Sequence, residues 1–241
     1  RRRGASGPAY GSIVGGGVNA TILHYVDNRD VLREGDLVLI DAGCEYESYA
    51  ADITRTWPVG TGFSAAQSEV YRVVLEAQKQ ALDAVRPGGR FIEVHDRAVE
   101  VLCAGLVDLG LLEGPPERAR ESGDFRKYYM HRTSHWLGLD VHDVGDYKEQ
   151  GQWKPLAPGM ALTVEPGCYV RPAEGVPERF WNIGVRIEDD VVVTTAGCEI
   201  LTRAAPKRID EIEALMGDAR GTPSKGSAKR SGKPSRSPSL P

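Results

Sequence analysis

The sequence predicts an α+β protein with a mostly antiparallel sheet and helices laid over it. Three observations carry this. Two β-branched runs, residues 37–41 and 49–57, flank a tight turn and read as a hairpin. Between residues 64 and 109, apolar residues recur at helical spacing in two successive segments. Strand-like runs then return at 160–165, 185–188 and 191–194. Strands and helices in separate blocks are the pattern of an α+β fold.

The 241 residues suffice for one large domain with a substantial core. Hydrophobic residues make up 41% and charged residues 27%, the balance of a soluble globular protein. A net charge of −4 argues against a nucleic-acid partner. The four cysteines, at 44, 103, 168 and 198, form neither a C-x-x-C pair nor a zinc spacing. They read as free thiols in a reducing compartment, the cytoplasm. No apolar run approaches the roughly 20 residues of a membrane helix, so no membrane partner is expected, and no signal peptide is visible. The chain starts at Arg1 rather than Met, so a piece of a longer protein with an upstream domain is expected.

Residues 1–9 are basic and contain Gly and Pro, an exposed lead-in; the main domain is expected over 10–216. Tyr10-Gly-Ser-Ile-Val14 reads as a short strand. Gly15-Gly16-Gly17 is a flexible turn rather than a phosphate loop, since no Gly-Lys-Ser/Thr follows and the spacing is not G-x-G-x-x-G. His24 follows two apolar residues and reads as structural on that ground alone. Gly35-Asp36 launches the first strand, Leu37-Val-Leu-Ile-Asp41-Ala-Gly. A turn at Tyr46-Glu47 leads to its return, Tyr49-Ala-Ala-Asp52-Ile-Thr-Arg-Thr-Trp57, which places Asp41 opposite Asp52. Cross-strand partners have Cβ atoms roughly 4.5–5.5 Å apart. Two carboxylates that close repel unless a cation sits between them.

Ser64-Ala-Ala-Gln67 is a capping box that opens a helix with Val70, Val73, Val74, Ala77, Ala81 and Val85 on one stripe. Pro87-Gly88-Gly89 ends it. A second helix spans about 92–109. Neither is assigned chemistry. Gly114-Pro115-Pro116 begins a charged loop through about residue 127. The densest motif follows, from Tyr128 through His131, Arg132, His135 and Trp136 to His142-Asp143. His131 and His135 are four apart, but a zincin H-E-x-x-H would need Glu where Arg132 stands. Arg186 and Glu188, two apart on a strand, face the same way. Residues 209–216 read as a short helix, and 217–241 as a disordered basic tail.

Asp41, Asp52, His135, Glu165 and Glu188 form a set of oxygen donors with one imidazole, suited to a pair of hard divalent metals. Their flanks are Leu39-Ile-Asp41-Ala-Gly43, Asp52-Ile-Thr-Arg-Thr56, Ser134-His135-Trp-Leu-Gly-Leu-Asp-Val-His142-Asp143, Thr163-Val-Glu165-Pro-Gly167 and Gly184-Val-Arg186-Ile-Glu188-Asp189. In this order the blocks resemble those of the pita-bread metallopeptidases, above all the Xaa-Pro aminopeptidase (aminopeptidase P) family, with prolidases as near relatives. The resemblance covers about residues 9–216.

The resemblance implies a curved, mostly antiparallel sheet in two pseudo-symmetric halves with outer helices. It implies two divalent ions, manganese foremost, with Asp41 on one, Asp52 and Glu188 bridging both, and His135 and Glu165 completing the other. A hydroxide shared between the metals would attack the bond between a peptide's first residue and a following proline. Glu165 would carry the proton. His24, His131, His142 and Tyr169 would line the substrate pocket, and Arg186 would anchor carboxylates and substrate. The partners implied are peptides with a penultimate proline, and the full-length protein is expected to form homo-oligomers. A prolidase acting on Xaa-Pro dipeptides is the alternative, and a metal-free peptide-binding module is a distant third, since all five ligands are present. Creatinase-like chemistry is disfavoured because it does not use the metal set. Two departures stand out. Arg132 replaces a glycine common in the family, and the family's N-terminal domain is absent.

Overall fold

The computed structural model describes residues 2–221. The first half is built on a three-stranded antiparallel sheet, with β3 (Leu37–Asp41) in the centre and β2 (Ile13–Gly16) and β6 (Thr54–Pro58) on either side. The opening strand β1 (Gly7–Pro8) pairs with Glu45 and Cys44, so the first nine residues are tied down rather than a free lead-in. β2 (Ile13–Gly16) lies later than the expected 10–14 strand and takes in Gly15 and Gly16. Only Gly17 turns, at φ 56°, into the 3-10 segment Gly17–Thr21. The glycine run is therefore part strand and not a flexible turn.

β3 (Leu37–Asp41), β4 (Cys44–Tyr46), β5 (Tyr49–Ala50) and β6 (Thr54–Pro58) form the expected hairpin, but in a different register. Its turn is Glu47-Ser48, with φ 49° and 70°. Two left-handed central residues are what a type I′ hairpin turn requires. Tyr46 pairs with Tyr49, and Asp41 with Thr54 instead of Asp52. The shift is two residues, so Asp52 keeps its face and lies diagonal to Asp41. Gly43, between them, faces the returning chain so closely that a Cβ would fall 1.5 Å from the Ala51 carbonyl oxygen.

Helix α1 (Ala65–Ala84) starts at the capping box, with Ser64 accepting from the Gln67 amide. Helix α2 (Phe91–Asp108) packs along it, with the α1 side chain Val73 filling the notch at Gly105. The charged stretch after Pro115 is not all loop. It contains α3 (Pro116–Ser122), with proline at the first turn and Gly123 at φ 80° closing it. Proline is pre-organised for that first position, so the Pro115-Pro116 pair starts an element rather than breaking one. A 3-10 turn, Asp124–Lys127, leads out of it.

The second half repeats the theme. β7 (Lys148–Glu149) and β8 (Gln152–Trp153) form a small hairpin at the cavity rim. β9 (Ala161–Val164) and β10 (Gly167–Val170) precede β11 (Ile183–Arg186), β12 (Asp189–Val193) and β13 (Cys198–Ile200). β12 sits between β13 and β9, and β10 pairs with β11, all antiparallel. Asp189-Asp190 is not a turn; it opens β12 and is buried. Helix α4 (Ile209–Gly221) is longer than expected, so residues 217–221 belong to it. The rest of the expected tail, 222–241, lies outside the described residues.

The stripe of α1 and the inner face of α2 supply the core. Val70, Val74, Leu102 and Leu106 pack against Cys168, Val185 and Ile187. Ala81, Val94 and Ala98 join Leu162, Val164 and Val191 in a second cluster. At the junction of the halves Gly184 lies against the 3-10 segment, where a Cβ would meet the Ala20 oxygen at 2.1 Å. Among the described residues, no helix is long and apolar enough to cross a membrane. The four cysteines are unpaired.

A buried ion cluster locks β6 to β12. The Asp189 carboxylate is fully buried and accepts from Arg55 at 2.7 Å, from Lys207, from Gln78 at 2.8 Å and from Thr202 at 2.7 Å. Arg55 also donates to the Glu188 carbonyl. Burial opposes the charge of Asp189, but Arg55 and Lys207 outweigh it and pull its pKa to about 2. A folded-state pKa below the unfolded one stabilises the fold above about pH 4, and the gain is lost as pH falls toward 2. The contribution is about 2 kcal/mol. Asp189→Asn is therefore expected to lose about 3–5 kcal/mol at pH 7, because two cations are left without their carboxylate. Denaturant melts of the variant between pH 4 and 2 should also lack most of the wild-type decline. Equal acid-limb slopes in the two proteins would refute this role of Asp189.

Candidate metal centre and substrate cavity

The hairpin and the second-half strands turn their carboxylates toward one cavity of about 690 Å³. Asp41 ends β3, and Asp52 lies just before β6. Glu165 follows β9, and Glu188 sits between β11 and β12. His135 reaches in from the 128–145 segment, held to β9 by the Trp136–Leu162 bridge. One donor atom each from Asp52, His135 and Glu188 lie within 4.8 Å of one another. His135 Nε2 is 3.4 Å from Asp52 Oδ2 and 3.7 Å from Glu165 Oε1. Asp41 joins through Tyr10, whose hydroxyl is 2.5 Å from Oδ1 of both Asp41 and Asp52.

The donor set fits a cation. His135 Nδ1 is 3.0 Å from the Trp136 carbonyl, which can only accept, so the proton sits on Nδ1 and the Nε2 lone pair faces the carboxylates. Tyr10 has one proton to donate and two carboxylate oxygens beside it, so one of them lacks a positive partner. Glu188 is pushed well above the usual carboxylate range by burial, then by Glu165, Asp52 and Asp41. Burial also raises Glu165, to about 7, although Arg186 and His135 pull the other way. Asp41 is raised by burial against the pull of Arg186. Burial works to raise Asp52, but its neighbours His135 and Tyr10 outweigh it and lower it. Carboxylates driven toward protonation by mutual repulsion are what a divalent ion relieves. Asp52, His135 and Glu188 thus make up a group that could hold a metal ion.

Arg186 is the fixed positive charge of the site. It donates to Asp41 Oδ2 at 2.6 Å, to Thr54 Oγ1 at 3.1 Å and to the Tyr169 hydroxyl at 3.1 Å. Thr54 passes its own proton to Glu188 Oε2 at 2.6 Å, so Arg186 and Glu188 do face one side.

His24, His131 and His142 line the cavity together with the five candidate ligands and Arg186. The His142 ring lies edge-on to His135, centroids 4.4 Å apart. His131 makes two contacts within the protein. Its Nδ1 is 2.8 Å from the Arg132 carbonyl and must donate there, so Nε2 accepts from the Tyr169 hydroxyl at 2.8 Å. Burial holds the ring neutral, with a pKa lowered to about 3. Both nitrogens thus have partners within the protein, and the ring lines the cavity. Tyr169, expected at the pocket, is 1% exposed and lies outside the cavity lining; its hydroxyl props His131 and Arg186 from behind.

Four residues escaped the sequence reading. Tyr10 lay near the expected lead-in with no motif around it. Asp190, buried, accepts the Asp52 amide at 3.0 Å and fixes the backbone of a ligand. Phe91 and His95 of α2 line the cavity, so that helix is more than cover. His95 Nδ1 meets Thr133 Oγ1 at 2.9 Å, and burial lowers its pKa to about 4. A histidine breaking the apolar stripe of α2 was the only available signal.

Comparison with known proteins agrees with this geometry. The signature of Metallopeptidase family M24 matches residues 1–195. The chain is 52% identical over 219 residues to Xaa-Pro aminopeptidase of Escherichia coli, covering 91% of this chain and 49% of that protein. It is 41% identical to the mitochondrial Intermediate cleaving peptidase 55 of Arabidopsis thaliana, over 90% of this chain and 42% of that one. Among solved structures, aminopeptidase PepP of Pseudomonas aeruginosa superposes with a TM-score of 0.91 at 53% identity, covering 92% of this chain and 50% of that one. A variant of E. coli aminopeptidase P in complex with substrate gives 0.89 at 50% identity, with 92% and 50% covered. The chain spans about half the length of these relatives. The fold is the α+β pita-bread fold, and the chain belongs to metallopeptidase family M24.

Proposed function

We propose that the protein to which this chain belongs is an Xaa-Pro aminopeptidase, a hydrolase that cuts between a peptide's first residue and a following proline. The carrying observation is the convergence of Asp41, Asp52, His135, Glu165 and Glu188 on one cavity, with Arg186 and His142 beside them. The relatives' names point the same way. These five residues would hold two divalent ions. The oxygen-rich donor set favours manganese. The cytoplasm is the compartment that suits the four unpaired cysteines. For partners, we propose homo-oligomers of the full-length protein.

When bound, the metals supply Lewis acidity that lowers the pKa of water toward neutrality. The chain's own groups do the rest. Glu165 takes the proton that the attacking water gives up and returns it to the proline nitrogen as the C–N bond breaks. That proton lets the proline nitrogen depart as an amine. His142, beside His135, donates toward the carbonyl oxygen where negative charge develops. His24 lines the same cavity and positions the substrate. Arg186 holds Asp41 in place.

Manganese-dependent release of the first residue from an Xaa-Pro-Xaa tripeptide is the direct test. Asp52→Asn should abolish it and weaken manganese binding by at least tenfold in calorimetry. Cleavage of Xaa-Pro dipeptides but not tripeptides would replace this reading with a prolidase. Intact metal binding in Asp52→Asn would remove Asp52 from the ligand set. His142→Ala should keep metal affinity and lower kcat by about 10²–10³. A change in KM alone would make His142 a binding residue.

A further inference from the structure

We infer that Arg132 and Lys148 form a carboxylate-reading rim on the leaving-group side of the cavity, selecting peptides whose free C-terminus lies close behind the cleaved bond. This rests on the peptidase reading above and adds the substrate's length and terminal charge.

The cavity is electrically polar. One end holds the carboxylates of the metal centre. The wall leading away from it is aromatic. Phe91, Tyr147 and Trp153 line it, and Trp136, next to His135, backs Phe91 at 4.6 Å from behind. Phe91 in turn stacks on Trp153 at 6.3 Å, with an interplanar angle of 16°. Two cations stand over the far ring, the Lys148 ammonium at 4.6 Å from its centroid and the Arg132 guanidinium at 5.9 Å. Both side chains line the cavity, and neither has a carboxylate within ion-pair distance among the described residues. Asp146 on the same wall offsets one charge of the two. The field of Arg132 reaches its neighbours: it adds to the burial that lowers His95 and opposes the burial that raises Asp96.

A peptide that presents its amine and scissile bond to the acidic end extends its leaving segment along this wall. Each extended residue spans about 3.3–3.6 Å, so a tripeptide's terminal carboxylate lies roughly 7 Å past the bond. That is on the order of the single step of 6.3 Å from Phe91 to Trp153, the ring over which the two cations stand. A guanidinium can take such a carboxylate on two parallel N–H bonds, while the rings pack the proline and the next side chain. A long peptide has a neutral amide at this point and gains nothing from the cations.

The test compares Xaa-Pro-Leu as free acid and as C-terminal amide, in wild type and in Arg132→Gln/Lys148→Gln, with manganese. The rim is exposed, so wild type should favour the acid by about fivefold in kcat/KM, mainly through KM. The double variant should bring the ratio near one. A ratio unchanged by the double substitution, or absent in wild type, would overturn the inference. Calorimetry with Pro-Leu acid and Pro-Leu amide supplies a readout independent of turnover. If wild type cleaves neither peptide, the aminopeptidase reading fails for this chain. The acid-over-amide binding ratio, and its loss in the double variant, then decides the rim alone.

Discussion

Four carboxylates face one cavity, and their mutual repulsion under burial is the constraint the rest of the structure answers. Asp41, Asp52, Glu165 and Glu188 could not stay charged together in an apolar setting. The protein meets the problem with positive groups placed by different parts of the chain. Arg186 donates to Asp41 and, through Thr54, reaches Glu188. His135 turns a lone pair inward by giving its other proton to a backbone carbonyl. Tyr10 lends a hydroxyl to both hairpin carboxylates. What remains unbalanced is the place for a divalent ion.

Holding these groups in register demands that the two halves stay locked. β6 and the β11–β12 segment meet at the site, and each contact between them serves two purposes. Arg55 ties the Glu188 backbone and the Asp189 carboxylate. Asp190 ties the Asp52 amide. Gly184 lets the 3-10 segment of the first half approach within van der Waals reach. The helices do not merely cover this junction. α2 sends Phe91 and His95 into the cavity, linking the outer core to the wall along which a leaving peptide would run.

Much of this was legible from local chemistry. The capping box at Ser64 and the apolar stripe after it define α1, because helix signals act within a few residues. The five candidate ligands stood out because their types and flanks are unusual together. The misses share another cause. The hairpin register moved because the turn chose Glu47-Ser48, a pair without the glycine or asparagine that announces a type I′ turn. α3 was missed because a proline pair reads as a breaker until its position in the first turn is known.

The sequence by itself determined the secondary-structure blocks, the donor types and the oxygen-rich character of the site, since these depend on residue identity and short-range periodicity. The tertiary structure alone decided who supports whom. Tyr10 reaches carboxylates more than thirty positions away, and Asp190 reaches Asp52 across 138. Arg132 and Lys148 come to share one tryptophan face. Such pairings carry no local signal, because long-range contacts are fixed by how the strands and helices pack and not by the spacing of residues along the chain.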